Sequence, residues 1–475
     1  MHGLNIIGVI IYWLIIVIAI IHVVMDNRQP AKTMAWALVI FFVPVAGIVL
    51  YLFFGVNHRR ERLASQRSLD QLSKRSMLEF VEQTDLHVPE HYKPVVDLFI
   101  NQNLSLPFKA TDVDIYTNGY QFFPALLRSI ASARHHIHID FYIFEDDALG
   151  QLVSDALIDR AKAGVEVRLI YDDVGCWNIP NAFFERMIQA GIEVAPFLPV
   201  RFPSFTSRVN YRNHRKLVII DGLEGYIGGM NIALRYVKGI NDHAWRDTMI
   251  RITGGIVYSL QRAFLVDWFF VNRKLISDKC YYPKALSNQK AEGALAQIVT
   301  SGPITPYPEI MQGYIRVILA ARHYIYIETP YFLPNEPVLF ALKTAALAGV
   351  DVRILCPFHS DARVVEWASR SYLREAVKAG VQVFLYTAGF LHSKMLVCDD
   401  TLLTCGSTNF DFRSFENNFE ANVFIYDEAQ AQEFRRVFLI DQQQSISLAE
   451  IPHRMKPSFI KRLGESLVRL FAPLF

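Results

Sequence analysis

The chain has 475 residues, enough for two or three domains, and 52% of them are hydrophobic. Its 48 basic and 46 acidic side chains leave a net charge of +2, which excludes the strong basic excess of a dedicated nucleic-acid-binding protein. Five cysteines form no C-x-x-C pair, and Cys356, Cys398 and Cys405 lie in apolar runs, which indicates buried free thiols and a reducing compartment.

The N-terminal residues predict a membrane hairpin. Residues 4–25 contain no Asp, Glu, Lys or Arg and can cross a hydrocarbon core of about 30 Å. A polar break over residues 26–33 precedes a second apolar run, residues 34–55, interrupted by Pro44, which a membrane helix tolerates. The first run lacks the basic leader and the A-x-A site of a cleaved signal peptide. We therefore predict two retained spans within residues 1–57.

Charged residues around the hairpin predict its orientation. Arg59, Arg60 and Arg62 follow the second run, whereas the connecting loop holds only Arg28 and Lys32. Basic residues accumulate on the cytoplasmic side of membrane proteins, so the loop should face outward and the large C-terminal part should face the cytoplasm. The arginines would then lie against the anionic headgroups of the inner leaflet.

Beyond the hairpin the chain contains one unit twice. Residues 133–147 (ARHHIHIDFYIFEDD) are matched by residues 321–335 (ARHYIYIETPYFLPN), and residues 161–170 by residues 346–355. Each half alternates apolar strands with helices that end in Ala-Gly, the pattern of βαβ units. The fold class is therefore predicted to be α/β, with a mostly parallel or mixed sheet in each half.

These patterns divide the rest of the chain into two lobes with flanking segments. The predicted units are a basic juxtamembrane linker (58–111), a first lobe (112–273), a polar linker (274–297), a second lobe (298–446) and an amphipathic C-terminal tail (447–475).

Each of two further segments is compatible with two alternative structures. Residues 197–212 mix Phe with Arg, which fits a membrane-dipping lip of the site or an ordinary surface loop. The tail fits either an interfacial membrane helix or a helix packed on the protein's own core. Its apolar residues at helical spacing are Phe459, Ile460, Leu463, Leu467, Leu470 and Phe471, opposite Lys461, Arg462 and Arg469.

Each half carries the same short motif: a His, a Lys two residues on, four apolar residues, an Asp, six further residues and then Gly-x-x-Asn. Side chains alternate along a strand, so the His and Lys should point the same way. The Asp is seven positions from the His and should face away, bracing the strand end rather than touching substrate. The two copies are His214, Lys216, Asp221 and Asn231, and His392, Lys394, Asp399 and Asn409.

Two such motifs predict one shared site for an anionic substrate. One imidazole can attack while the other donates a proton, because histidine titrates near neutrality. The lysines would stabilise a phosphate, the asparagines would add neutral donors, and an ammonium beside each His disfavours a metal ion. Each His also needs a carboxylate to orient it. Asp247 and Glu420 are the candidates, 33 and 28 residues after their own histidines.

At this point the chain resembles a known family. The paired motifs resemble those of the phospholipase D superfamily, and the chain is more narrowly similar to the bacterial cardiolipin synthases. The segments that carry the resemblance are NRQPAKTMAW, YRNHRKLVIIDG, WRDTMIRITG, IETPYFLP and STNFDFRSFENNFE. The resemblance implies two α/β lobes sharing one active site, a covalent phosphohistidine, and neither metal nor other cofactor. It favours His214 as nucleophile and His392 as acid and base.

The implied reaction joins two phosphatidylglycerols into cardiolipin and releases glycerol. The implied partners are these lipids and an anionic lipid surface, with no nucleic acid, and the implied location is the bacterial inner membrane. Arg413 and Ser414 are further candidates for phosphate binding. The motifs are equally compatible with a phospholipase D that uses water or another alcohol as acceptor. The net charge disfavours a membrane-anchored nuclease, and the two intact motifs disfavour an inactive scaffold.

Overall fold

The N-terminal apolar residues form helices in the computed structural model, which describes residues 2–25, 30–51, 55, 88–103, 105–200, 210–240, 244–283, 293–305, 307–470 and 472. Helix α1 (His2–Met25) is long and apolar enough to cross a membrane over Ile7–Met25. The second apolar run is divided into α2 (Pro30–Phe42) and α3 (Pro44–Leu50), because Pro44 has no N–H with which to continue the helix. A second span remains a prediction, and the basic flank at residues 58–62 lies outside the described residues.

A seven-stranded mixed sheet forms the first lobe. Its strands are β2 (Val113–Tyr116), β3 (His136–Phe141), β4 (Glu166–Asp172), β5 (Glu193–Phe197), β6 (Lys216–Ile220), β7 (Glu224–Gly228) and β9 (Met249–Thr253). They lie in the order β2-β9-β7-β6-β3-β4-β5. Strands β3, β4 and β5 are parallel, as the βαβ pattern predicts, whereas β6 runs antiparallel to β3.

The helices of the first lobe cover this sheet. They are α5 (Gly119–Ser132), α6 (Ala148–Lys162), α7 (Asn181–Gln189), the short α8 (Arg235–Lys238) and α9 (Ile256–Asn272). Strand β6, which carries the first motif, is buried along its whole length, as its apolar run predicts.

The second lobe contains the same sheet with one additional strand at each edge. Its strands are β1 (Phe108–Ala110), β10 (Ala294–Ser301), β11 (Tyr324–Glu328), β13 (Asp351–Pro357), β14 (Gln382–Tyr386), β16 (Met395–Cys398), β17 (Leu402–Gly406), β19 (Glu420–Tyr426) and β20 (Ser445–Ser447). The order is β1-β10-β19-β17-β16-β11-β13-β14-β20. Its seven inner strands match the first sheet position by position, so the sequence repeat is a repeat of structure.

Helices of the second lobe follow the same plan. They are α10 (Glu309–Ala320), α11 (Glu336–Leu347), α12 (Arg363–Lys378), α13 (Phe412–Glu416), α14 (Glu428–Gln443), α15 (Pro452–Met455) and α16 (Phe459–Leu470). Among the described residues, four short strands lie outside the two large sheets: β8 (Ala244–Arg246), β12 (Phe332–Leu333), β15 (Gly389–Leu391) and β18 (Phe410–Asp411).

The segment before the first lobe belongs structurally to the second lobe. Helix α4 (Lys93–Asn103) buries Val95, Val96 and Phe99 in the second lobe's core, and β1 pairs with β10. The prediction of a linker over residues 58–111 is therefore wrong for residues 93–110. The polar linker predicted over 274–297 also ends earlier, because β10 begins at Ala294.

One hydrophobic cluster spans the two lobes. Leu217 and Ile227, on β6 and β7, pack in the same cluster as Val397 and Leu403, on β16 and β17. The strands that carry or follow the two motifs therefore meet at the centre of the molecule. All five cysteines are free, and Cys280 alone among them is exposed.

Candidate active site

Both motif histidines line one pocket of about 630 Å³ between the lobes. His214 and His392 are exposed over only 11% and 9% of their side-chain surface, so the pocket holds them largely away from bulk water. Other polar lining residues come from both lobes: Tyr142, Arg212, Asn231, Arg235, Tyr236, Trp245, Tyr331, Asp361, Asn409, Asp411, Arg413 and Asn418.

The backbone at each histidine is held by the opposite lobe. The His214 N–H donates to the carbonyl of Phe419 at 2.9 Å, and the His392 N–H donates to the carbonyl of Arg246 at 2.7 Å. Strand β15, which ends just before His392, pairs with β8 of the first lobe. Each motif therefore begins as an extended segment bonded across the lobe interface.

The residue after each of those carbonyls is the carboxylate that orients the imidazole. His214 Nδ1 lies 3.1 Å from both carboxylate oxygens of Glu420, and His392 Nδ1 lies 2.7 Å from Asp247 Oδ2. The structure places both predicted acids beside the motif histidines, but it contradicts the predicted pairing of each His with the acid of its own half. The pairs are exchanged because each acid directly follows the residue whose carbonyl accepts a hydrogen bond from the backbone N–H of the other lobe's histidine.

Burial and these contacts set the charge states. Burial alone would raise the pKa of Glu420, but His214 and Lys216 outweigh it and hold that pKa below its usual value. Burial likewise opposes ionisation of Asp247, and Lys394 and His392 lower its pKa nevertheless. Burial lowers the pKa of His214, which Glu420 partly offsets, and burial together with Lys394 lowers that of His392 to about 3. With the pocket empty of substrate, both imidazoles are therefore neutral at pH 7.

Each neutral imidazole keeps one ring nitrogen for chemistry. At His392, the Nδ1–H donates to Asp247, which leaves the lone pair of Nε2 available to a substrate. Glu420 accepts in the same way at His214, and its own oxygens also accept from Ser407 Oγ and, at 3.2 Å, from Asn418 Nδ2. These further bonds fix the carboxylate, and through it the tautomer of the histidine.

The two lysines lie beside their histidines in the buried part of the site. Lys216 Nζ bonds the carbonyl of His214 and lies 5.3 Å from the centre of the Tyr142 ring. Burial lowers the pKa of Lys216 to about 7. Lys394 Nζ lies 3.6 Å from Asp247 and 2.8 Å from His392 Nδ1, and burial lowers its pKa too. Ammonium groups buried away from water favour the binding of an anion.

The motif aspartates lie just beyond the C-terminal ends of β6 and β16. Asp221 accepts the backbone N–H groups of Arg134, His135 and His136 at 2.7–2.9 Å. Asp399 does the same for residues 322–324. Both aspartates have a positive φ, 54° and 51°. They fasten the motif strand to the start of β3 or β11 and do not line the pocket.

Replacing Asp221 with alanine should lower the free energy of unfolding by about 1–3 kcal/mol, because three N–H groups lose their acceptor and alanine is strained at this φ. Asn keeps one acceptor oxygen and tolerates the conformation, so Asp221→Asn should cost about half as much. Thermal denaturation of the detergent-solubilised protein measures both. Equal melting temperatures for the wild type and Asp221→Ala would contradict the brace.

The two motif asparagines differ in their contacts. Asn231 accepts from the Ile143 N–H at 3.2 Å and donates to the Tyr236 hydroxyl at 3.0 Å. Asn409 lines the pocket with a buried side-chain oxygen that has no hydrogen-bond partner among the described residues. Arg413 also lines the pocket, whereas Ser414 is buried and accepts from the Asn409 N–H at 3.2 Å.

Sequence reasoning missed several residues that shape the pocket. Tyr142 lies 5.1 Å from the His214 ring, and Trp245 lies 5.3 Å from the His392 ring. Arg235 lines the pocket as well, and its signal is in the sequence: Arg235 and Arg413 each come four residues after the asparagine of a motif. The aromatic residues carry no comparable spacing signal. Residues 201–209, most of the predicted lip, lie outside the described residues.

Comparisons with known proteins agree with this geometry. A family model described as "Cardiolipin synthase, PLD-like domain" matches residues 126–268 and 314–441, and one described as "Phospholipase_D-nuclease N-terminal" matches residues 14–55. The chain is 40% identical to cardiolipin synthase 2 of Bacillus cereus, over 95% of this chain and 88% of that protein. It is 38% identical to the major cardiolipin synthase ClsA of Bacillus subtilis, over 97% of each.

Among solved structures, phosphatidylserine synthase of Haemophilus influenzae has a similar fold. The TM-score is 0.61 at 16% sequence identity, over 80% of this chain and 97% of that one. At this identity the likeness concerns the fold alone.

Proposed function

This chain belongs to the family of phospholipase D-like cardiolipin synthases, and we propose that its two-histidine pocket transfers a phosphatidyl group from one phosphatidylglycerol to another. The observation that carries the proposal is the arrangement of the two histidines. They come from opposite lobes, line one pocket, and are each oriented by a carboxylate of the other lobe. This arrangement suits a displacement at phosphorus in two steps.

In the first step, His214 Nε2 attacks the phosphorus of one phosphatidylglycerol. A P–N bond forms, the bond from phosphorus to the glycerol headgroup oxygen breaks, and glycerol leaves with a proton from His392. Lys216 and Lys394 stabilise the charge that builds on the phosphoryl oxygens. Glu420 stabilises the positive charge that develops on His214, because its carboxylate lies 3.1 Å from Nδ1.

In the second step, His392 removes the proton from a headgroup hydroxyl of a second phosphatidylglycerol. That oxygen attacks phosphorus, the P–N bond breaks, and cardiolipin forms. The number of phosphodiester bonds is unchanged, so no nucleotide is consumed. Glycerol competes with the second lipid for the same intermediate, which makes the reaction reversible.

Substrate binding favours the protonated His392 that the first step needs. His392 must carry a proton to act as an acid, yet its pKa in the free enzyme is about 3. A phosphodiester anion placed between the buried lysines offsets their charge and raises the pKa of both imidazoles and of Lys216. We therefore propose that lipid binding is accompanied by proton uptake.

The proposed location is the inner membrane, with two spans and the catalytic lobes in the cytoplasm. Support comes from α1, from the match of residues 14–55 to an N-terminal family segment, and from the basic residues after the second apolar run. A reporter fused after residue 475 should behave as cytoplasmic. We also propose that no metal takes part, since an ammonium group lies beside each histidine.

Purified enzyme given phosphatidylglycerol alone tests the function. Cardiolipin and glycerol should form together, and reactions with labelled lipid stopped by a neutral denaturant should hold a base-stable, acid-labile phosphoamide on His214. Phosphatidic acid as the main product would mean that water is the acceptor. Label on Ser, Thr or a carboxylate would exclude the phosphohistidine mechanism, whereas label on His392 would exchange the two roles.

A further inference from the structure

The C-terminal helix α16 packs on the protein through its polar face. Glu465 is buried and ion-paired with Arg374, and Arg469 donates to Glu375 at 2.7 Å. The Arg469 guanidinium also lies 4.0 Å from the centre of the Tyr372 ring. All of these partners are on α12, so a polar seam holds α16 to the second lobe.

Five apolar residues of α16 point away from the second lobe, whereas Val468 packs against its core. Phe459, Ile460, Leu463, Leu467 and Leu470 recur at helical spacing and are between 49% and 82% exposed. A surface helix of a water-soluble protein turns such a stripe towards the core. Here the core side is already occupied by ion pairs, so the stripe presents contiguous apolar surface outward. A patch of this kind marks an interaction site.

The stripe lies beside the substrate pocket. Asp361, Ala362 and Val365, at the start of α12, line the pocket. Trp367, two residues further on, lies against Gly464 of α16 and is 46% exposed. Residue numbers rise together along the contact, from Trp367 and Gly464 to Glu375 and Arg469, so the two helices run in the same direction. Phe459 and Ile460 therefore lie at the end of α16 nearer the pocket.

We propose that this stripe, Phe459 to Leu470 on α16, docks into the surface of the lipid bilayer and turns the pocket towards it. The inference rests on the proposed function, because it makes the bilayer the source of the substrate. Exposed Arg462 flanks the stripe and would contact anionic headgroups, the arrangement of an interfacial helix.

Chain connectivity favours a bilayer as the occupant. Helix α1 is apolar enough to hold the chain at a membrane, and the first elements after the hairpin that the structure describes, α4 and β1, pack on the same lobe as α16. The N-terminal membrane helix is thus connected to the lobe that carries α16. A second copy of the chain is a poorer occupant, since five side chains on one 12-residue helix offer little of the ~800 Å² per partner that a stable interface needs.

The test uses the full-length enzyme reconstituted in phosphatidylcholine vesicles. The triple variant Ile460→Ser/Leu463→Ser/Leu467→Ser removes the stripe but keeps Glu465 and Arg469. Its rate on long-chain phosphatidylglycerol in the same bilayer should fall on the order of tenfold. Its rate on monomeric dihexanoyl-phosphatidylglycerol, which enters from solution, should change less than twofold. Leu347→Ser, on α11 and 75% exposed, is the control for losing an exposed leucine and should leave both rates unchanged.

A second triple variant, Ile460→Leu/Leu463→Phe/Leu467→Phe, identifies the occupant. A bilayer accepts any apolar side chain, so this variant should keep the wild-type rate, whereas a shaped protein partner would reject it. The proposal is overturned if the serine variant retains its rate on bilayer lipid, if it loses both rates equally, or if the second variant is as impaired as the first. A wild-type enzyme that makes no cardiolipin from either lipid would instead refute the proposed function.

Discussion

Replacing either His214 or His392 with alanine should lower the rate of cardiolipin formation by at least roughly 10³-fold. Both rings line one pocket, and the proposed reaction needs both at each turnover, one as nucleophile and one as acid and then base. Removing the first histidine therefore leaves the second without a step to assist. The double variant should be little slower than either single variant, because groups that act as a unit do not contribute additively.

Rates of cardiolipin and glycerol release from labelled phosphatidylglycerol measure this effect. His359→Ala is the matched control, because His359 is exposed and does not line the pocket, and it should keep full activity. A single motif variant that retained a tenth of the wild-type rate would contradict the shared site. Two single losses that multiplied in the double variant would contradict it as well.

The cross-lobe carboxylates should have the next largest effect. Glu420→Gln and Asp247→Asn should each lower the turnover rate by roughly 10²- to 10⁴-fold, since the amide neither fixes the correct tautomer nor stabilises an imidazolium. The carboxylate of Glu420 raises the pKa of His214, so its removal should lower that pKa further. The acidic limb of the kcat/KM–pH profile should then move to lower pH, because His214 stays neutral in more acidic solution.

The two variants also test the exchanged pairing. The ring nitrogen chemical shifts of each histidine, measured by NMR, report its tautomer. Glu420→Gln should alter the shifts of His214 and leave those of His392 unchanged, and Asp247→Asn should do the reverse. Altered shifts at the histidine of the mutated acid's own lobe would contradict the exchanged pairing. Glu450→Gln, at an exposed acid outside the pocket, should leave both rings unchanged.

The repeat and the motifs were predictable because they are local. Strand periodicity, the Ala-Gly helix ends and the His-x-Lys spacing depend on neighbouring residues, and both sheets follow from them. Asp247 and Glu420 could be chosen as candidate acids for the same reason, because each lies in a recognisable short segment. Strand parity does not extend to Asp221 and Asp399, because both follow the end of the strand with a positive φ and are held by backbone N–H groups instead.

The order of residues along the chain does not show which acid pairs with which histidine. Asp247 follows His214 by 33 residues, and nothing in that interval shows that Arg246 bonds the backbone of His392 in the other lobe. Only the spatial relation between the lobes determines it. The buried face of α16 could not be predicted for a similar reason. Its sequence pattern is compatible with burial of either face, and the ion pairs to Arg374 and Glu375 show that the polar face is the one packed on the protein.

The pairing of β1 with β10 has a consequence for synthesis. Ala110 and Ala294 are partners, and at 5–20 residues per second a ribosome needs between about 10 and 40 s to make the roughly 180 residues between them. Throughout that time the apolar side chains of Val95, Val96 and Phe99 have no second lobe to cover them. This early segment is therefore among the last to be completed. A stalled or truncated chain would keep this apolar helix exposed, as a site where chaperones and quality-control proteases could bind.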